Sequence, residues 1–156
     1  MDAARRATVE DLDAIVEMAA ELRAELEPMR GGGLWSVTAA YPDPLHASFS
    51  ALLERDDACL VVGTIDDAIV GFGACGVAVL RDGTRLGQIV ELFVTEEARA
   101  VSVGEGILNE LVEFCRAEGC AGVDAFALPG HRAAKNFFET HGFTARALTM
   151  HHRLEL

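Results

Sequence analysis

Residues 91–108 read Glu91-Leu92-Phe93-Val94-Thr95-Glu96-Glu97-Ala98-Arg99-Ala100-Val101-Ser102-Val103-Gly104-Glu105-Gly106-Ile107-Leu108. A run of apolar residues gives way to polar ones, and apolar residues then return at helical spacing, so a strand passes through a loop into a helix. Val103, Ile107, Leu108, Leu111, Val112 and Cys115 repeat at three- and four-residue steps, which predicts a helix from about Val103 to Glu118 with Gly119 as its C-cap. The start of such a helix carries unpaired backbone N–H groups and the positive end of the helix dipole, and glycine there lets an anion approach the main chain. Gly104-Glu105-Gly106 is therefore a candidate phosphate cradle, with close helix packing as the alternative. No Gly-Lys-Ser/Thr follows and Gly104-Glu105-Gly106 does not continue as G-x-G-x-x-G, so this loop is neither of those nucleotide loops.

Upstream, Cys59 to Ile65, the acidic turn Asp66-Asp67 and Ala68 to Leu80 read as a β-hairpin, and Asp82-Gly83 turns the chain into a strand from Leu86 to Val94. Thr8 is placed to cap a helix whose apolar face is Leu12, Ile15, Val16, Ala19 and Leu22. Residues 27–44, with Gly31-Gly32-Gly33, Pro42 and Pro44, read as loop, and Leu45 to Arg55 as a shorter helix. Downstream come a strand Gly122 to Ala127, a helix around Arg132 to Thr140 and a last strand near Phe143 to Leu154. The order βα, αβββ, αβ, αβ specifies an α+β fold with a central mixed, mostly antiparallel sheet and about four flanking helices.

A length of 156 residues suits one domain, 1–156, able to bury roughly two-thirds of its unfolded surface. Acidic residues number 25 against 13 basic ones, a net charge of −12 with no basic cluster, which argues against phosphate-dominated nucleic-acid binding. The longest nearly apolar run, Ala68 to Leu80, is too short for a bilayer that needs about 20 residues. The amino terminus lacks the apolar core of a secretory signal, so the expected location is the cytoplasm, with no membrane partner. Cys59, Cys75, Cys115 and Cys120 have neither a C-x-x-C spacing nor a paired-His pattern and read as inert thiols. Adjacent His151 and His152 in a strand would point to opposite faces, so no metal site is expected.

Five segments together resemble the GNAT superfamily of acetyl-CoA-dependent N-acetyltransferases: Arg6 to Leu12, Ile69-Val70-Gly71-Phe72, Val90 to Val94, the loop and helix quoted above, and Ala134-Lys135-Asn136-Phe137-Phe138-Glu139-Thr140-His141-Gly142-Phe143. The last is similar to the family's A-x-x-F-Y-E-x-x-G-F signature. The resemblance implies the acyl-CoA N-acyltransferase fold and transfer of an acetyl group from acetyl-CoA to a primary amine, by direct attack, on a small molecule or protein. It implies that Leu92, Phe93 and Val94 pair with pantetheine as an added strand would. A β-bulge there would turn a backbone N–H toward the thioester carbonyl and its developing oxyanion. Arg99, Ala100, Val101, Ser102, Val103, Gly104, Glu105 and Gly106 would surround the pyrophosphate.

By the same resemblance Glu91 is a general base for the amine, against a plainer role as a salt-bridged strand residue. His131 stands where relatives carry an Asn that bonds the cofactor, against a helix-start polar role. Trp35 and Tyr41, each the only residue of its kind, would line the acceptor pocket or fold onto the core. Besides His131 and Ser102, which stands where glycine is common, three positions depart from the family. Val101 replaces Arg or Gln, Glu105 replaces a residue that is often basic and would need a partner such as Arg99, and Phe138 replaces a proton-donating Tyr. These motivate an alternative, a catalytically impaired acyl-CoA sensor or interaction module. The acidic chain favours encounter with a cationic amine. The resemblance also admits a homodimer, since dimers are common in the family, some through the carboxy-terminal strands.

Overall fold

Cys59-Leu60-Val61-Val62 offers apolar side chains to both faces of a strand, and a computed structural model of the chain, which describes residues 1–100 and 102–155, buries both faces. The elements are β1 (Asp2–Arg6), α1 (Leu12–Leu26), α2 (Gly32–Thr38), α3 (Leu45–Glu54), β2 (Ala58–Ile65), β3 (Ala68–Val79), β4 (Arg85–Val94), α4 (Val103–Ala117), β5 (Gly122–Ala125) and α5 (Arg132–Thr140). One five-stranded sheet runs in the order β1-β2-β3-β4-β5; the first four strands are antiparallel and β5 lies parallel to β4. Leu60, Val62, Phe72, Ala74 and Phe93 face α1, α2 and α3. Cys59, Val61, Cys75 and Ile89 face α4 and α5. Helices on both faces follow from strands that are apolar on both faces.

The α4 face of the sheet is paved with glycine, and this sets how closely the helix sits. A Cβ added at Gly73 would stand 2.6 Å from Ile107 Cγ2 and 2.9 Å from Leu111 Cδ1, inside van der Waals contact. Gly63, Gly71 and Gly87 likewise run into Val103, Ile107 or Cys115. At Gly76, on the same strand, nothing lies nearer than 3.9 Å. Gly73→Ala is therefore expected to lose about 1–3 kcal/mol through overpacking, and Gly76→Ala close to nothing. Thermal unfolding of the two variants checks this, and equal drops in Tm would mean that the glycines do not set the helix distance.

Several sequence expectations change here. Residues 27–44 are not all loop, because Gly32–Thr38 form α2, begun by Gly31 at φ 82°. Thr8 does not cap α1 directly; its N–H donates to Asp11 Oδ2 at 2.8 Å, and a 3-10 turn over Val9–Asp11 precedes the helix. The last strand is absent, since residues 144–155 join no ladder. Their alternation buries nothing: Leu148, Met150 and Leu154 are 84%, 86% and 71% exposed. An Arg146–Asp124 ion pair ties this stretch to β5. Gly119 does end α4 as expected, at φ 74°, its N–H donating to Arg116 O. Among the described residues no helix is long and apolar enough to cross a membrane.

Candidate active site

The site begins with one surplus residue in β4. Across from β3, Ala74 pairs with Glu91 and Cys75 with Ile89, so Val90 has no partner and bulges. A bulge reverses the alternation of a strand. Ile89 faces α4, yet Glu91 and Phe93 face α1, whereas Leu92 and Val94 take the α4 side. Without Val90's extra step, the Glu91 carboxylate would point into the opposite core.

Beyond the bulge the sheet opens. Pairing of β4 with β5 ends at Ile89↔Ala125. Past it, Val90, Glu91 and Leu92 on one side and Phe126, Ala127 and Leu128 on the other line a groove with about 420 Å³ of empty space, part of it open to solvent. Leu22 and Leu26 of α1, Trp35 of α2, and His131, Ala134 and Phe138 at α5 complete the walls.

Glu91 is 1% exposed and held from three directions. Arg23 donates to it through two nitrogens, Nη1 to Oε1 and Nη2 to Oε2, both at 2.8 Å, and the Tyr41 N–H donates to Oε2 at 3.0 Å. Arg23 also donates to Ala19 O at 2.9 Å and to Tyr41 O at 2.8 Å, and its guanidinium lies 5.6 Å from the centre of the Trp35 ring. Planar, bidentate geometry of this kind suits arginine and no other cation. Sequence reading passed over Arg23. Its signal was present, because Ile15, Ala19 and Arg23 recur at four-residue steps, placing a cation on the buried stripe of α1 where an acidic partner is required.

Trp35 lines the groove, and its buried Nε1–H has no hydrogen-bond partner. Tyr41 does not line it; the ring packs edge-on against Phe49 at 5.5 Å, and only its backbone reaches Glu91. Burial and the Glu91 charge push the Tyr41 phenol well above its ordinary range. His131 begins α5 with its side chain in the groove. Burial lowers its imidazole below the ordinary value, Glu25 opposes that shift and Arg99 adds to it. Phe138 packs between Phe137 and Phe143, at 5.4 and 5.3 Å, and offers no proton.

At the amino end of α4, Ser102 Oγ donates to Asp2 Oδ2 at 2.5 Å. Gly104 lies on the Phe137 ring, its Cβ position 3.3 Å from Cε1, so this glycine serves packing; at Gly106 the nearest atom is Ala4 Cβ at 3.5 Å. Glu105 does not pair with Arg99. It leans toward His141, 4.0 Å from Nε2, while Arg99 binds Glu25 at 2.8 Å, donates to Val94 O at 2.8 Å and covers the Phe93 ring. Ala100 and Ser102 are exposed, Val103 is buried, and Val101 lies outside the described residues. The structure brings Glu91, Leu92, Trp35 and His131 to one groove, while residues 102–106 lie at the amino end of α4 and Arg99 reaches Glu25 of α1.

The sequence profile of the Acetyltransferase (GNAT) family matches residues 18–143. The chain belongs to the GNAT family. An uncharacterized N-acetyltransferase of Archaeoglobus fulgidus is 31% identical over 112 residues, 70% of this chain and 71% of the relative. Among solved structures, AAC(6')-Iy in complex with the bisubstrate analog CoA-S-monomethyl-acetylneamine superposes with a TM-score of 0.77 at 16% identity, over 100% of this chain and 99% of the other. Glucosamine-6-phosphate N-acetyltransferase from Arabidopsis thaliana gives a TM-score of 0.72 at 18% identity, over 99% of both chains. At such identities the two structures speak for the GNAT fold, a five-stranded mixed sheet with five flanking helices.

Proposed function

We propose that the protein is an acetyl-CoA-dependent N-acetyltransferase of the cytoplasm, acting on a primary amine bound in the groove between β4 and β5. The observation that carries this reading is the parting of those strands immediately after Ile89, at the Val90 bulge. It leaves the β4 edge from Val90 to Val94 without a partner on the β5 side, beside the amino end of α4. Acetyl-CoA supplies an acyl thioester, and the residues present fit it. Leu92, Phe93 and Val94 offer its amides a strand edge that no strand covers, where Val94 O already accepts from Arg99, and the first-turn N–H groups of Val103, Gly104 and Glu105 offer donors for phosphate. The amine occupies the α1 side of the sheet, opposite α4.

An incoming ammonium has to lose a proton before it attacks. Glu91, neutralised by Arg23, supports a positioning role that fastens α1 and the Tyr41 segment to the bulge. His131 lines the same groove and, with its imidazole lowered by burial, is neutral and able to accept the proton. A second reading, a sensor that binds acyl-CoA without turnover, is favoured by the carboxylates of Asp2 and Glu105 beside the α4 amino end and by Phe138.

Calorimetric titration with acetyl-CoA and with coenzyme A tests both readings. Micromolar binding followed by amine-dependent thiol release is expected. Binding without thiol release for any amine would leave the sensor, and no heat at millimolar ligand would remove both.

A further inference from the structure

Among the described residues that line it, the groove offers neither a free anion nor a free cation to its occupant. Its one carboxylate, Glu91, already receives three hydrogen bonds, and Arg23 spends its donors on Glu91, Ala19 O and Tyr41 O. Near His131 the pattern repeats, with Arg99 and Glu25 bonded to each other. An acceptor carrying several ammonium groups needs unpaired carboxylates, and one carrying a phosphate needs unpaired cations. Neither is available in this groove. Most of the side chains it presents are apolar, Leu22, Leu26, Trp35, Leu92, Phe126 and Leu128, beside polar surface that includes His131, and Phe126 is 48% exposed although aromatic.

One polar group stands apart. Among the described residues, Trp35 Nε1 is the only buried side-chain nitrogen or oxygen without a hydrogen-bond partner. A buried unpaired donor is costly, and native proteins keep few of them. Trp35 is 3% exposed, its ring is held over Arg23, and it lines the groove. The indole N–H is thus a buried, unpaired donor on a residue that lines the groove.

We infer that the acceptor is a primary amine on an uncharged, apolar body bearing one neutral hydrogen-bond-accepting oxygen, which the Trp35 indole N–H receives. The inference rests on the acetyltransferase reading for its reaction, though not for binding. Selection works by exclusion as well as attraction. A phosphate or a second ammonium buried among Leu22, Leu26 and Phe126 has no counter-charge, whereas an ether or carbonyl oxygen relieves the unpaired N–H. The net charge of −12 draws any amine toward the protein, and the neutral groove then decides which one stays.

Because Trp35 is the only tryptophan, its fluorescence reports binding in the groove independently of turnover. The full chain is titrated with 4-methoxyphenethylamine, phenethylamine, spermidine and glucosamine 6-phosphate, with and without acetyl-CoA, and thiol release is followed in parallel. The methoxy amine is expected to shift Trp35 emission and to bind roughly tenfold more tightly than its oxygen-free parent, the scale of one net hydrogen bond. Spermidine and glucosamine 6-phosphate, which carry further charges, are expected to leave the emission unchanged. Trp35→Phe, followed by thiol release, is expected to erase the preference between the two aromatic amines.

Preferential binding or turnover of spermidine or glucosamine 6-phosphate would overturn the inference while keeping the acetyltransferase. Emission shifts with no thiol release from any amine would keep the inference and overturn the enzyme. No emission shift with any amine, or an undiminished preference in Trp35→Phe, would overturn the inference. The comparison of the two aromatic amines on the unaltered protein decides the matter even if Trp35→Phe fails to fold.

Discussion

Glu91→Gln is expected to unfold at a temperature on the order of 10 °C below the unaltered protein. The substitution keeps the shape of the side chain and removes its charge, so the Arg23 guanidinium, 17% exposed, is left without an anion. Removing one partner of a buried ion pair costs about 3–5 kcal/mol, and about 2–4 °C of Tm accompanies each kcal/mol in a domain of this size. Replacing both partners, Arg23→Met with Glu91→Met, is expected to recover most of the loss, because the pair's desolvation goes with its attraction. Kinetics separate this positioning role from a role as general base. If Glu91 fastens the Tyr41 segment and α1 to the bulge, the variant raises KM for the amine along with lowering Tm. An unchanged Tm and KM with kcat reduced a hundredfold would return Glu91 to the role of base.

Much of this architecture was legible because it is periodic. The apolar steps of α1 and α4, the two-sided apolar run of β2 and the turn at Asp66-Asp67, both at positive φ, are local signals, and the structure contains each element. The reading of residues 143–154 went astray for a related reason. Alternation predicts a strand only where a ladder partner and a surface to bury against exist, and Leu148, Met150 and Leu154 have neither within this chain. The short helix α2 was hidden by Gly31 before it and its own Gly32 and Gly33, since glycine lowers helix propensity, yet burial of Trp35 against α1 supplies what propensity lacks.

The chemistry was less legible than the fold, and the reason is the bulge. One extra residue at Val90 decides whether Glu91 faces α1 or α4, and no periodicity marks a single inserted step. The partner of Glu91 lies 68 positions away on α1, so the difference between a free carboxylate and a neutralised one belongs to tertiary structure. Likewise Glu105 and Arg99, six residues apart, find His141 and Glu25 instead of each other. Charge patterns along a chain name candidates, and folding chooses the pairs.

His131→Ala is expected to lower kcat/KM about 10²–10⁴-fold near neutral pH, the usual worth of a positioned general base. The pH profile carries the sharper information. Burial holds the imidazole below its ordinary value of about 6.5, with Glu25 on α1 working against that shift and Arg99 with it. The neutral, proton-accepting form therefore already dominates at neutral pH. As pH falls through the lowered value His131 is protonated and kcat/KM declines, and above that value the imidazole imposes no further change. His131→Ala is expected to lose this acid limb. His131→Asn discriminates between the two roles open to the residue. Asparagine can donate a hydrogen bond to a cofactor and cannot take up a proton at these pH values. If His131 accepts the amine's proton, the asparagine variant is as slow as the alanine variant and equally free of the acid limb. If asparagine restores the rate, His131 only holds the cofactor, and the proton must leave by another route in the groove.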